Sequence, residues 1–296
     1  MSFRTHRVYL FCICIQLILV NPLRAEGIDS IFISGVKNFV NREIGINLKS
    51  DLYTAYDSSN LPMYYVYISR ADRIAKPDEL NSFFIYCGHS ETHALSIDSF
   101  YSSKGCQAFC YHAYANSSTV INERFMSYPE EARVFIMIHE LMHNYIEEMK
   151  LKIPYEFNEA LSDVVGNFGA MKYARETNKL TNASWELQTT LNEKVYSCLN
   201  KFIRKINRRP ARQAKYFKSC REKLNTQLKN GNTFQRDRFN YDVNNAFLLK
   251  NSFYSKNYFL LKKVMIRQGT ILKFLEVIKG MPSDKDAATR YLEKYS

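Results

Sequence analysis

His139 and His143 stand four residues apart in the stretch His139-Glu140-Leu141-Met142-His143. On an α-helix 3.6 residues per turn bring positions i and i+4 onto one face, so the two imidazoles can share one metal ion. Glu140, rotated by about a hundred degrees from His139, is poorly placed as a ligand but within reach of a water on that ion, which is the position of a general base. A catalytic zinc needs three protein ligands and an open fourth position, and two histidines with one glutamate are a recurring set. Glu159 is the natural third ligand.

These side chains need two helices to position them. Ser127 and Glu130 make a capping-box pattern with Pro129 in the first turn, which predicts a helix start. Val134, Phe135, Met137, Ile138, Leu141, Met142 and Ile146 carry its apolar pattern through the motif. Lys150 to Pro154 reads as a break, because Pro154 disfavours helix at Ile153. A second helix over 156–175 then carries Glu159 and Asp163 one turn apart, and a short loop lets Glu159 fold back against both histidines.

Upstream, Ile28, Ile31, Phe32, Val36, Phe39 and Val40 recur at helical spacing and predict an amphipathic helix over 28–44. The period then changes. Residues 63–68, 82–86, 106–114 and 118–121 are short runs with strand character. Downstream the chain reads as helical: 191–206 and 211–228 flank Asn207-Arg208-Arg209-Pro210, a break suited to an antiparallel hairpin, and 271–278 is an apolar helix. The span 201–229 carries 11 Lys/Arg and one acid, Glu222. Without aromatic interleaving or a nucleic-acid motif it predicts a solvated face, with contact to an anionic surface as the alternative and no nucleic-acid partner.

Residues 1–25 read as a signal peptide. Arg4, His6 and Arg7 precede an apolar run from Val8 to Val20, and Ala25 offers a small residue for cleavage before Glu26. The run falls short of the roughly 20 residues that span a bilayer, so export is expected over anchoring. Removing the segment takes away three arginines and lowers the net charge from +12 to +9. The remainder, rich in Tyr and Phe and free of repeats and low-complexity tracts, has a globular rather than a disordered composition. Five of its residues are cysteines: Cys87, Cys106, Cys110, Cys198 and Cys220. In an exported protein these are disulfide candidates, with Cys87 expected to pair in preference to a metal site at Cys106, Cys110 and His112. Cys198 and Cys220 lie about equally far from the break at Arg209, so a hairpin would set them side by side.

The motif followed by a helix carrying Asn158-Glu159-x-x-x-Asp163 resembles the gluzincin metallopeptidases, in which the glutamate of the second helix is the third zinc ligand. That resemblance implies one zinc per chain on His139, His143 and Glu159, with Asn158 and Asp163 supporting the ligands from behind, and Glu140 as the catalytic base. The gap from His143 to Glu159 is somewhat shorter than in the best-known members. Phe157-Asn158-Glu159-Ala160 together with Asn244-Asn245-Ala246-x-Leu248 and Tyr254 is similar to a bacterial family of predicted aminopeptidases. This second resemblance runs from about Phe135 to the C-terminus. It implies substrate contacts at Asn244 and Asn245 and a catalytic oxyanion donor at Tyr254; on residue type alone the asparagines would read as a turn or helix cap and the tyrosine as a packed aromatic. The Gly-x-Met-Glu-Asn segment with which gluzincin aminopeptidases hold a free amine does not precede His139.

The expectation is an α+β, zincin-like fold: a signal peptide over 1–25, an α/β lobe over 26–150 with a small mixed sheet and the active-site helix, and a mostly helical lobe over 151–296. The expected function is that of an exported zinc peptidase acting on peptides or proteins, with aminopeptidase specificity implied by the second resemblance. Two other classes compete. A non-catalytic zincin-like binding module would have lost Glu140 or a ligand, and a basic surface-binding protein would act through 201–229.

Overall fold

Apolar residues recurring every three to four positions wind the first described segment into α1 (Ser30–Phe39), which runs on through a π-helical turn at Val40–Ile44. Phe32, Val36, Phe39, Val40 and Ile44 are buried as the periodicity predicts, whereas Ile31 is exposed. The computed structural model describes residues 30–45, 55–57, 62–71, 83–113, 120–179 and 183–296. The expected signal peptide lies outside them.

Two separate pieces replace the expected mixed sheet. β2 (Met63–Arg70) is the centre of an antiparallel sheet in the order β3-β2-β4, with β3 at Phe83–Tyr86 and β4 at Cys106–Ala113. β1 (Ala55–Asp57) pairs in parallel with β5 (Val120–Asn122) and, among the described residues, does not join it. β5 is cut short by its own last residue: the Asn122 side chain accepts a hydrogen bond from Phe125 N at 2.8 Å and starts α3 (Glu123–Met126). Alternation along β2 sends Val66 and Ile68 into a small cluster with Cys87, Ala94 and Ala108 beneath α2 (Glu91–Ser103). Tyr67 faces the other way, into the main core. α2 lays a narrow face of Ala94, Ile97 and Tyr101 on the small cluster, and its N-terminus is capped by Ser90, which accepts from His93 N at 3.1 Å.

The motif helix is α4 (Glu130–Glu148). It begins without the expected capping box. Ser127 instead closes α3, its hydroxyl donating to Arg124 O at 2.7 Å, and Pro129 occupies the cap of α4 with no side-chain hydrogen bond. Pro154 marks the start of α5 (Tyr155–Glu176), as the break predicts. The two helices approach closely because α5 is small where they meet. A Cβ on Gly166 would lie 3.0 Å from the Phe135 ring and 3.2 Å from its carbonyl oxygen, and one on Gly169 would lie 2.9 Å from Ile138.

The remainder is helical: α6 (Ser184–Arg208), α7 (Gln213–Leu228), α8 (Thr233–Phe239), α9 (Asn245–Ser255), α10 (Tyr258–Gln268), α11 (Ile271–Lys279) and α12 (Lys285–Tyr295). α6 and α7 form the expected hairpin, turned by a short 3-10 segment at Pro210–Arg212. All five described cysteines are free thiols. Cys87 makes no disulfide, its sulfhydryl pointing to Ile85 O at 3.7 Å. Cys198 and Cys220 are buried neighbours across the hairpin. One hydrophobic core runs from Phe32 of α1 to Leu292 of α12, so the lobes drawn on either side of residue 150 share an interior. Among the described residues no helix is long and apolar enough to cross a membrane.

Candidate metal centre

Successive turns of α4 present His139 and His143 on one face with their Nε2 atoms 3.0 Å apart. Glu159, near the start of α5, brings Oε2 to 3.5 Å from His139 Nε2 and 3.6 Å from His143 Nε2. One donor atom from each of the three lies within 4.8 Å of the others. Two nitrogens on one tetrahedral zinc, each about 2.05 Å away, would stand roughly 3.3 Å apart, so the pair needs little adjustment. Glu159 Oε2 is moreover buried without a hydrogen-bond donor, and a buried carboxylate oxygen is costly unless a cation or donor meets it. The residues fit a divalent ion that prefers mixed nitrogen and oxygen ligands.

Both imidazoles are held from behind. Asp163 Oδ1 stands 2.8 Å from His139 Nδ1. Asn158 Oδ1 is 3.2 Å and Ser162 Oγ 3.3 Å from His143 Nδ1. An oxygen that can only accept requires the proton on Nδ1, which leaves the Nε2 lone pair for the ion. Asp163, fully buried, also accepts from Arg238 Nη2 at 2.9 Å and from the Tyr196 hydroxyl. The supporting roles that the resemblance implies for Asn158 and Asp163 therefore coincide with contacts the fold makes. Arg238 and Tyr196 had no sequence signal, since they come from the distant helices α8 and α6, whereas Ser162 lies one turn after Asn158 on α5.

The charges follow from this packing. Burial opposes the His139 imidazolium, yet the Asp163 and Glu159 carboxylates outweigh it and raise its pKa to about 10. His143 is raised against the same burial, chiefly by Glu159. Burial would likewise push Glu159 up, but the two imidazoles hold it well below the usual carboxylate range. Protons and a metal ion compete for the same Nε2 lone pairs.

A cavity of about 150 Å³ opens beside the cluster, and His139 and Glu140 form part of its wall. Tyr254 faces them from α9, its ring stacked against His139 at 6.3 Å between centres and 25° between planes. The tertiary fold thus brings Tyr254 to the site. Lys250, one turn earlier on α9, enters the same cavity; the i, i+4 spacing to Tyr254 was a sequence signal that motif reading passed over. His112 also lines it, 3.3 Å from the Tyr241 hydroxyl, with burial lowering its pKa.

Asn244 and Asn245, for which the second resemblance implies substrate contacts, make structural contacts. Neither lines the cavity. Asn244 caps α9, accepting from Phe247 N at 2.8 Å, and donates to Ala108 O at 2.7 Å. Asn245 is fully buried, its backbone N–H donating to Gln107 Oε1 at 2.6 Å and its amide to the carbonyls of Arg70 and Ala71. The pair docks α9 onto the ends of β2 and β4, which fixes where Lys250 and Tyr254 point.

An α+β chain with a buried His-His-Glu cluster beside a partly aromatic cavity is the class that fold and site define. No protein-family model, curated protein or solved structure matches the chain, so its family resemblances rest on the residues named above.

Proposed function

We propose that the chain is an exported, zinc-dependent peptidase with a zincin-like arrangement of sheet, motif helix and glutamate helix. The observation that carries this reading is the convergence of His139, His143 and Glu159 beside a cavity whose wall includes His139 and Glu140. His139, His143 and Glu159 would hold the zinc, which supplies Lewis acidity toward a scissile carbonyl and an attacking water.

Glu140 takes a proton from the water as its oxygen adds to the peptide carbonyl carbon. The same carboxyl then delivers that proton to the amine as the C–N bond breaks, so water is consumed and an acid and an amine leave. Tyr254 donates from its hydroxyl to the carbonyl oxygen as negative charge gathers there. Lys250 Nζ donates to the Tyr254 oxygen at 3.4 Å, and this leaves the phenolic proton free to turn toward the cavity. β4 is the outer strand of the order β3-β2-β4, and its Tyr111, His112 and Ala113 on the cavity wall suit alignment with an extended peptide.

Export is supported by the charge and apolar run of residues 1–25. Hydrolysis of an internally quenched peptide library, measured with and without a chelator and with Glu140→Gln, tests the reading. Chelator-sensitive cleavage that disappears in Glu140→Gln is expected; cleavage indifferent to both sinks it.

A further inference from the structure

The cavity beside His139 and Glu140 holds a cation, Lys250, that forms no ion pair among the described residues. Lys250 Nζ sits 4.5 Å from the ring centres of both Tyr254 and Tyr111. Its hydrogen bond to the Tyr254 hydroxyl satisfies one of three N–H groups. Two of the neighbouring charged groups already have partners. Arg238 is paired with Asp163, and Asp237 accepts from Arg124 and from the Tyr128 hydroxyl, each at 2.8 Å. Among the described residues no carboxylate lies within ion-pair distance of Lys250. Burial, with Arg238 close by, draws its ammonium down to about 8, as happens to a sequestered cation that lacks an anion.

A lysine that served packing alone would lay its stem along the apolar wall and send its ammonium to water. Lys250 instead turns its charge inward onto two tyrosine faces, in the cavity that Glu140 also lines. We propose that Lys250 is the anchor for a carboxylate carried by the ligand of this cavity, with the rings of Phe109, Tyr111 and Tyr254 flanking the ligand's apolar part. A monoanion is favoured over a phosphate. One lysine supplies one free charge, and Glu140 and Asp237 on the same wall repel a dianion. A free amine is disfavoured by the same lysine, in keeping with the missing Gly-x-Met-Glu-Asn segment. The proposal rests on the peptidase reading of this cavity and names its substrate class: a peptide presenting a carboxylate beside the scissile bond, either its C-terminus or an acidic side chain.

The test is binding by calorimetry at pH 7, on the zinc-loaded protein and on protein stripped with a chelator. N-acetyl-Ala-Phe is compared with its C-terminal amide, and N-acetyl-Ala-Glu amide with N-acetyl-Ala-Gln amide. In at least one pair the carboxylate should bind about ten-fold tighter or more, the scale of a charge-assisted hydrogen bond, with and without zinc. The first pair reports a chain terminus and the second a side chain. Lys250→Met should abolish the preference and Lys250→Arg should keep it. Equal binding within both pairs by the wild type overturns the proposal, as does a preference that survives Lys250→Met. Should Lys250→Met fail to fold, the wild-type comparison and Lys250→Arg decide alone. A carboxylate preference in a protein that binds no zinc or cleaves no peptide sinks the peptidase reading and leaves the carboxylate site standing.

Discussion

Asp163 Oδ1 lies 2.8 Å behind His139 Nδ1, and the same buried carboxylate takes a hydrogen bond from Arg238 at 2.9 Å. One carboxylate on α5 thereby stands behind the His139 imidazole of α4 and is tied to Arg238 of α8. Asp163→Asn keeps the shape and removes the charge, which leaves Arg238 buried without a partner. Breaking such a pair costs about 3–5 kcal/mol, and zinc affinity should fall about 10–100-fold. Denaturant melts with competitive chelator titration check both; a variant matching wild type in each would reduce Asp163 to a passive neighbour.

Purified protein should contain one zinc per chain by elemental analysis. His143→Ala combined with Glu159→Ala should remove it. Glu140→Gln should retain it while peptide hydrolysis drops about 10²–10⁴-fold, the usual scale for a lost general base. Full zinc in the double variant would place the metal elsewhere.

Tyr254→Phe keeps the ring stacked on His139 and deletes only the hydroxyl. If that hydroxyl stabilises the oxyanion, kcat falls about 10²-fold or more with zinc content and melting temperature unchanged. An unaltered kcat returns Tyr254 to the role of a packed aromatic.

Lys250 sets a pH dependence. Its folded pKa of about 8 lies below its ordinary value of 10.5, so between these limits the unfolded chain binds more protons than the folded one. Stability from this residue therefore rises as pH climbs from about 8 to 10.5 and is lost again as pH falls through 8. The difference in stability between wild type and Lys250→Met, followed by urea melts from pH 7 to 10.5, should move in favour of wild type across that window. A pH-independent difference would contradict the buried ammonium.

Cys198 and Cys220 are neighbouring free thiols, and the proximity of Cys220 lowers the pKa of Cys198. Mild oxidation should join them, read as a peptide pair lighter by two hydrogens in mass mapping. Full alkylation of both after oxidation would show that the α6–α7 spacing holds the backbones too far apart for a disulfide.

Local chemistry made much of this legible in the chain itself. The i, i+4 histidines, Pro154 and the hairpin break at Asn207–Pro210 act within a turn or two, and the elements they predict are α4, α5, α6 and α7. Where two local signals competed, the reading failed: Ser127 could cap α4 or close α3, and the chain reversal after α3 decided for closure. The Asn244-Asn245 pair gave the same ambiguity, because an amide that caps a helix and docks it on strand carbonyls looks no different in sequence from one that meets a substrate.

What the sequence determined by itself is the pair of helices that carry His139, His143 and Glu159, since helical spacing and the break at Pro154 are local signals. What only the tertiary structure decided is the surroundings of that set. Arg238 and Tyr196 reach Asp163 from separations of 75 and 33 residues, and Tyr254 and Lys250 arrive on a helix moored to β2 and β4. Such meetings depend on how glycine-lined helices and an asparagine-docked helix close around one core, and no spacing along the chain encodes a distance across it.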